Sequence, residues 1–240
     1  MKITGYKNIV ILTGAGISAA SGLKTYRGPG GLWNEHDINE YGHIDRLKDD
    51  PSKIWALFGP LRQSIIQAKP NAAHYALSKL EKNLEPDQSL HLITQNVDGL
   101  HTAAGNTNVI EFHGNIQKTR CSNTECAFEP FDDQQSYEQQ QPSCPLCGSP
   151  LVPNIVLFGE QIPAFESWSA KKTLRECDLF LAIGTSGNVS PASQFVRSAQ
   201  YAGAKTMYIN IESVADDQSL FDEEIIGYAE TVLPDLCLFG

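Results

Sequence analysis

Asn8-Ile9-Val10-Ile11-Leu12 is a short, largely β-branched run, and two residues later comes Gly14-Ala15-Gly16-Ile17-Ser18-Ala19. An unbroken apolar run of this length, without alternation, is the pattern of a strand buried on both faces, as in parallel sheets. The turn behind it fits G-x-G-x-x-G/A. Its glycines permit a tight turn and close approach of a pyrophosphate, and a helix starting there offers free N–H groups and a positive dipole end. A plain strand-to-helix turn carries the same glycines, so the motif alone leaves both readings open. The acidic ribose ligand of ordinary dehydrogenases, about 20 residues on, is not evident. Asp37 has roughly that spacing but ends no clear second strand.

Further strand-like runs lie at 90–94, 109–112, 179–183 and 206–209, with a weaker one at 231–233. Between them, residues 54–66 carry apolar side chains at helical spacing. Asn71 can cap a helix running to about Lys82, and Ser190-Pro191 opens a helix that Gly203 closes. Strands alternating with helices predict an α/β fold, a Rossmann-like parallel sheet with helices on both faces.

Residues 119–153 break the alternation. They show little periodicity, many Gln, Pro and Asp, and four cysteines, spaced Cys121-x4-Cys126 and Cys144-x2-Cys147. The second pair, with Gly148 behind it, is a zinc knuckle. Four thiolates close the coordination sphere, which predicts a structural zinc, because a catalytic zinc keeps one position open. A redox dithiol is the alternative. The chain thus reads as a cofactor-binding domain formed by 1–118 and 154–240, with an inserted zinc-binding module at 119–153. Cys177 and Cys237 read as small buried hydrophobes.

The 240 residues suit one large domain with a small insert, and 41% hydrophobic content suffices for a core. A net charge of −10 argues against nonspecific nucleic-acid binding. It suits basic partners such as lysine-rich segments, and it also simply favours solubility. No run approaches the roughly 18 apolar residues of a membrane span. The first eight residues are too short and polar for a secretory signal. The expectation is a cytoplasmic monomer with no membrane and no nucleic-acid partner.

More specific residues then accumulate. Gly14-Ala15-Gly16-Ile17-Ser18, Ser21-Gly22-Leu23, Tyr26-Arg27-Gly28 and Gly31-Leu32-Trp33 resemble the cofactor signature of the sirtuin family. Thr94-Gln95-Asn96-Val97-Asp98-Gly99-Leu100-His101 resembles its second signature, and Phe112-His113-Gly114 its third. The cysteines, Phe158-Gly159-Glu160, Gly184-Thr185-Ser186 and Asn210-Ile211-Glu212 follow in family order. The match covers essentially the whole chain and is most similar to the compact bacterial sirtuins. It implies an NAD-dependent protein-lysine deacylase that releases nicotinamide, free lysine and O-acyl-ADP-ribose. The implied cofactors are NAD and one structural zinc, and the implied partners are acyl-lysine proteins or peptides.

The resemblance also assigns roles. His113 is the general base for the ribose hydroxyls, which a near-neutral pKa suits. Asp98 and the Ile17 backbone hold the nicotinamide carboxamide. Asn96 and Gln95, with Val97 beside them, meet ribose and an ordered water. Gly14, Ala15, Gly16, Ile17, Ser18 and Ala19 surround the cofactor together with Tyr26 and Trp33, and Arg27 stands near the phosphates. Gly184, Thr185 and Ser186 cradle the adenosine side. Asn210, Ile211 and Glu212 bind its ribose, supplying the carboxylate missing earlier, and Ala229 lines the adenine pocket. Each has a plainer reading in isolation: His113 as a core histidine, Asp98 as a turn residue before Gly99. His74 and His101 are read as structural, His36 and His43 as exposed.

On the substrate side, Val156, Leu157, Phe158, Gly159 and Glu160 resemble the strand along which the family's peptide adds, with Phe158 walling the lysine tunnel. Sirtuins that bind acidic acyl groups carry Tyr-x-x-Arg on the helix before the Asn71-Ala72-Ala73-His74 segment. Phe58 and Leu61 occupy those places here. Arg62 is one residue off, within reach of the pocket if Gly59-Pro60 makes the helix irregular. Lys24-Thr25-Tyr26-Arg27 instead resembles the loop of the desuccinylase subgroup. The expectation is preference for acetyl and apolar acyl groups. Desuccinylase or demalonylase specificity, ADP-ribosyl transfer or NAD hydrolysis are the alternatives on the same fold. A non-catalytic partner-binding module is the alternative outside it, and the intact His113, Asn96 and Asp98 argue against that one.

Overall fold

The computed structural model describes residues 3–26, 31, 38–138, 140–186, 190–214 and 220–237. Arg27, Trp33, His36 and Asp37 lie outside them. Strands are numbered along the chain. The main sheet holds β1 (Asn8–Thr13), β2 (Ser89–Thr94), β3 (Val109–Glu111), β7 (Leu179–Ile183), β8 (Lys205–Asn210) and β9 (Glu223–Ile226), in the order β3-β2-β1-β7-β8-β9. Every pairing in it is parallel. The helices used below are α1 (Ser52–Gln67), α2 (Ala72–Lys82), α3 (Leu100–Ala103), α4 (Ala164–Arg175), α5 (Phe195–Tyr201) and α6 (Ala229–Leu236).

β1 is central, so both faces of its apolar run are covered. Ile9 and Ile11 face Leu77 and Leu80 of α2 and Leu233 of α6. Val10 and Leu12 face Ala170 and Leu174 of α4 and Phe195 of α5. Each such aliphatic side chain, fully buried, contributes about 1.5–3 kcal/mol. Asn71 caps α2 by accepting from Ala73 N, and His74 reaches back to Asn71 N, completing a capping box.

Several expectations change. The residues after the glycine turn form a 3-10 helix, Ala15–Ser21, not an α-helix. Residues 231–233 are not a strand: they lie in α6, where Ala229 and Leu233 form a helical stripe buried against the sheet, and that burial overrides β-branched propensity. The last strand is instead the acidic edge β9. The helix expected from Ser190-Pro191 becomes regular only at Phe195, after a 3-10 turn over Ala192–Gln194. Gly203 follows it with φ +81°. The strand expected at 156–160 ends at Ile155, because Gly159 turns the chain at φ +79°. His43 is half-buried, its ring against Gly159 and its backbone bridged to Phe158.

Two glycine turns close the C-terminal ends of β1 and β7. Gly14 N donates to Ile183 O at 3.0 Å and Gly16 N to Gly184 O at 2.9 Å. A Cβ on Gly16 would lie 2.7 Å from Gly184 Cα, and one on Gly184 would lie 2.5 Å from Ile17 N. The first turn therefore needs glycine for backbone-on-backbone packing as well as for any ligand.

A second, antiparallel sheet has the order β5-β4-β6, from β4 (Gly114–Cys121), β5 (Phe131–Asp132) and β6 (Leu151–Ile155). It carries the cysteines, whose four sulfurs lie within 4.8 Å of one another. Cys121 Sγ is 3.5 Å from Cys147 Sγ, and Cys126 Sγ 3.8 Å from Cys144 Sγ. Tetrahedral zinc with bonds near 2.3 Å places its sulfurs about 3.8 Å apart. Hydrogen bonds with Ser149 pull the Cys147 thiol down to about 6, while burial pushes the Cys121 thiol up to about 12. The set fits a structural zinc and a zinc-ribbon module.

The module is fastened to α1. Arg62 is 0% exposed and donates to Lys118 O and Gln135 O at 2.9 Å and to Thr119 Oγ1 at 3.0 Å. Asp133 sits 3.4 Å away, and Trp55 lies under the guanidinium at 4.6 Å and donates to Leu151 O. Arg62, expected within reach of an acyl pocket, is thus committed to this sheet and its adjoining loop instead, and α1 runs through Pro60 without a break.

Two outcomes follow. Gly184→Ala, with φ at +59° and the clash with Ile17, should cost about 1–3 kcal/mol, read as a lower urea midpoint; an unchanged midpoint contradicts the close packing. Metal analysis should find one zinc per chain, and chelation should loosen residues 114–155 in hydrogen exchange while β1 and β7 stay protected.

Candidate active site

The loop after β2 carries the densest polar cluster. Asp98 is buried. Its Oδ2 accepts from Ser18 Oγ at 2.7 Å and its Oδ1 from Leu100 N at 2.9 Å. Burial pushes its carboxyl up, against those two hydrogen bonds. Ser18 Oγ in turn accepts from Asn96 Nδ2 at 3.2 Å, and the same amide donates to Gly14 O at 3.1 Å. Both amide hydrogens of Asn96 are thus engaged, so its Oδ1 can meet a ligand only as an acceptor. Gln117 Nε2 holds Asp98 from behind by donating to its carbonyl at 2.8 Å.

This cluster opens on a narrow cleft of about 20 Å³. Ala15, Ser18, Asn96, Val97 and Asp98 form one side, Leu23, Lys24 and Tyr26 a second, and Leu61 and Ile65 of α1 the third. Burial, and Asp98 nearby, push the Tyr26 phenol up. Phe58 sits one turn away in the core under the cleft. The α1 side of the cleft is therefore apolar.

His113 follows β3. Its Nδ1 lies 3.0 Å from Gln95 O. A carbonyl only accepts, so Nδ1 carries the proton and Nε2 keeps its lone pair. Burial lowers the His113 pKa from 6.5, and the Gln95 carbonyl partly opposes this. The Gln95 side chain reaches the other way: its Oε1 accepts from Thr185 Oγ1 at 2.8 Å. One residue therefore ties the histidine to the turn after β7.

Beyond β7, Tyr208 organises the far end. Its hydroxyl donates to Thr185 O at 3.0 Å and accepts from Asn210 Nδ2 at 2.5 Å. Asn210 Oδ1 accepts from Ile211 N. Ile211 and Glu212 are exposed beside it, and Ala229 is buried at the start of α6. Ser186 and Ala19 are exposed, and the Ile17 carbonyl is taken up by Asn71 Nδ2 at 2.8 Å. Near β6, Val156 N donates to His113 O, Leu157 is buried in the core, and the Glu160 carboxylate is held by Arg120 at 2.8 and 2.9 Å and by Leu157 N. Glu160 thus fixes its own turn.

Sequence reasoning did not find Tyr208, Gln117 or the buried Thr13–Thr94 pair at the strand ends. For Thr13 and Thr94 the available signal was a polar residue closing an otherwise apolar strand.

Among the described residues, no helix is long and apolar enough to cross a membrane. The Sir2 family model matches residues 14–191. An NAD-dependent protein deacylase of Leishmania major is 40% identical, over 94% of this chain and 92% of its own length. One of Vibrio parahaemolyticus is 42% identical, over 96% and 94%. A solved Sir2 homologue in complex with NAD superposes with a TM-score of 0.87 at 34% identity, covering 98% of this chain and 90% of its own. A Sir2 structure with a deacetylated p53 peptide and 3′-O-acetyl ADP-ribose gives 0.81 at 29%, covering 97% and 96%. Matched by the family model over most of its length and by relatives at 40% and 42% identity, the chain belongs to the Sir2 family.

Proposed function

We propose that this protein removes acyl groups from protein lysine side chains at the expense of NAD, releasing nicotinamide and O-acyl-ADP-ribose. The observation that carries the proposal is the Asp98–Ser18–Asn96 cluster opening on a cleft one loop away from a histidine whose Nε2 is free to take a proton. Bound NAD supplies a ribose carbon with nicotinamide as its leaving group.

Asp98 holds the carboxamide. Two of its roughly four acceptor positions are used by Ser18 and Leu100, which leaves room for an amide N–H. The Ile17 backbone completes that contact. Asn96 accepts from a ribose hydroxyl through Oδ1, and Gln95 positions a water beside it. His113 Nε2 takes the proton of the ribose hydroxyl, and Gln95 O steadies the imidazolium through Nδ1–H. Gly14, Ala15, Gly16 and Ala19 line the phosphate path, with Arg27, Tyr26 and Trp33 from the adjoining loop. Gly184, Thr185 and Ser186, with Asn210, Ile211, Glu212 and Ala229, take the adenosine. Residues 156–159 receive the substrate main chain, and Phe158 walls the lysine.

Leu61 and Ile65 favour acetyl and apolar acyl groups over acidic ones, and Arg62 supports this because its guanidinium is already engaged. The same proposal assigns 1–118 and 154–240 to the cofactor domain and 119–153 to the zinc module, although β4 and β6 reach a few residues beyond those limits. A monomer in a reducing compartment such as the cytoplasm suits the clustered thiols.

Mass spectrometry with NAD and a panel of acyl-lysine peptides tests this. Acetyl-lysine should be consumed with matching nicotinamide, faster than succinyl-lysine, and His113→Ala should lower turnover about 10²–10⁴-fold. NAD consumption with the acyl-lysine intact would sink the deacylase reading. The neutral imidazole is the active form and its pKa is lowered. Activity should therefore rise with pH through a midpoint below 6.5; an acid limb at or above that value in kcat/KM contradicts the assignment.

A further inference from the structure

Beneath the loop of Asn96 and Asp98 lies a line of buried polar groups that none of the roles above employs. Thr13 and Thr94 sit opposite each other at the ends of β1 and β2. The Thr13 hydroxyl donates to Thr94 Oγ1 at 2.9 Å, and Thr94 Oγ1 also accepts the backbone N–H of Asn96 at 3.1 Å. Thr13 Oγ1 lies 3.0 Å from His101 Nε2.

A hydroxyl that has given its one proton to Thr94 can only accept from His101. His101 Nε2 therefore carries the proton and Nδ1 a lone pair. That Nδ1 is buried with no partner. The next ring, His74, lies 4.8 Å away between centroids and has the opposite pattern. Its Nδ1 accepts from Asn71 N at 3.3 Å, so its Nε2 carries the proton, and Nε2 too is buried without a partner. The two rings meet at an interplanar angle of 56° with no hydrogen bond between them, so His74 supports His101 by packing.

We propose that His101 is a positioning residue, the centre of a neutral relay. In it His101 Nε2–H holds Thr13, so that Thr94 fixes the Asn96 amide, and the His74 ring packs against His101 from below. Its effect on turnover rests on the deacylase reading; its geometry does not. Behind His74 stands Asn71, whose side chain donates to Ile17 O at 2.8 Å and Ser21 Oγ at 3.0 Å. The glycine turn and the Asn96 loop are thereby joined from below. Burial keeps both rings neutral, pushing His74 down to about 4 and His101 well below its ordinary value.

Nitrogen-15 spectra of the histidine-labelled protein at pH 7 test the relay. Both rings should be neutral Nε2–H tautomers. A His101 proton on Nδ1, or either ring cationic, overturns it. Kinetics with acetyl-lysine peptide test the positioning. His101→Leu should lower kcat about ten- to a hundredfold while the peptide KM stays nearly unchanged. His101→Gln, which can again donate to Thr13, should recover most of the loss. The near-isosteric Thr94→Val should lower kcat likewise and shift the Asn96 amide resonance, should the leucine variant not fold. A glutamine variant no better than leucine, or a loss in KM alone, overturns the role. If the wild-type protein turns over no acyl-lysine, the deacylase reading falls while the spectra still judge the relay.

Discussion

The contact between the two glycine turns is what the rest of the site hangs on. Gly16 donates to Gly184 with no side chain between them, and this draws the ends of β1 and β7 to backbone distance. Strand order reverses at this point in the sheet, where α/β folds open a crevice for ligands. Ser18 then faces Asp98 on one side, and Thr185 faces Gln95 on the other. Because Gln95 also holds His113, the histidine and the turns after β1 and β7 share one small frame of short polar contacts. A single Cβ at either turn would push these pairs apart together.

The central strands were legible because burial on both faces demands an unbroken apolar run, and β1 and β7 have one. The cap at Asn71 and the zinc knuckle were legible because local chemistry alone requires them. β4 was not: Gly114-Asn115-Ile116-Gln117-Lys118 has too few apolar residues to signal a strand, and its partner β6 lies some thirty residues on. β9 was missed because an edge strand beginning Glu223-Glu224 lacks a buried pattern. Thr231-Val232-Leu233 misled because β-branched residues read as strand until the neighbouring Ala229 is placed on the same buried stripe.

For the site, residue identities were visible but their partners were not. Asp98 and Ser18 stand 80 residues apart and Thr185 and Gln95 90 apart, so no local pattern encodes either pair. Arg62 makes the same point for specificity. From spacing it was expected within reach of an acyl pocket, whereas the fold spends its charge on Asp133 and the Lys118 and Gln135 carbonyls. A buried guanidinium needs that many acceptors, so it is not available for a second task.

α1 is therefore a helix with two separate obligations. Trp55, Gly59, Arg62 and Gln63 face the small sheet, where the backbone of Ser136 leaves Gly59 no room for a side chain. Phe58, Leu61 and Ile65 face the cleft or the core beneath it. Substitution in the second set alters the shape of the cleft, and none of its members makes the contacts that anchor the first. The helix thus carries one face held by the small sheet and another that walls the cleft, so the wall can change at Leu61 or Ile65 while the anchoring contacts stay as they are.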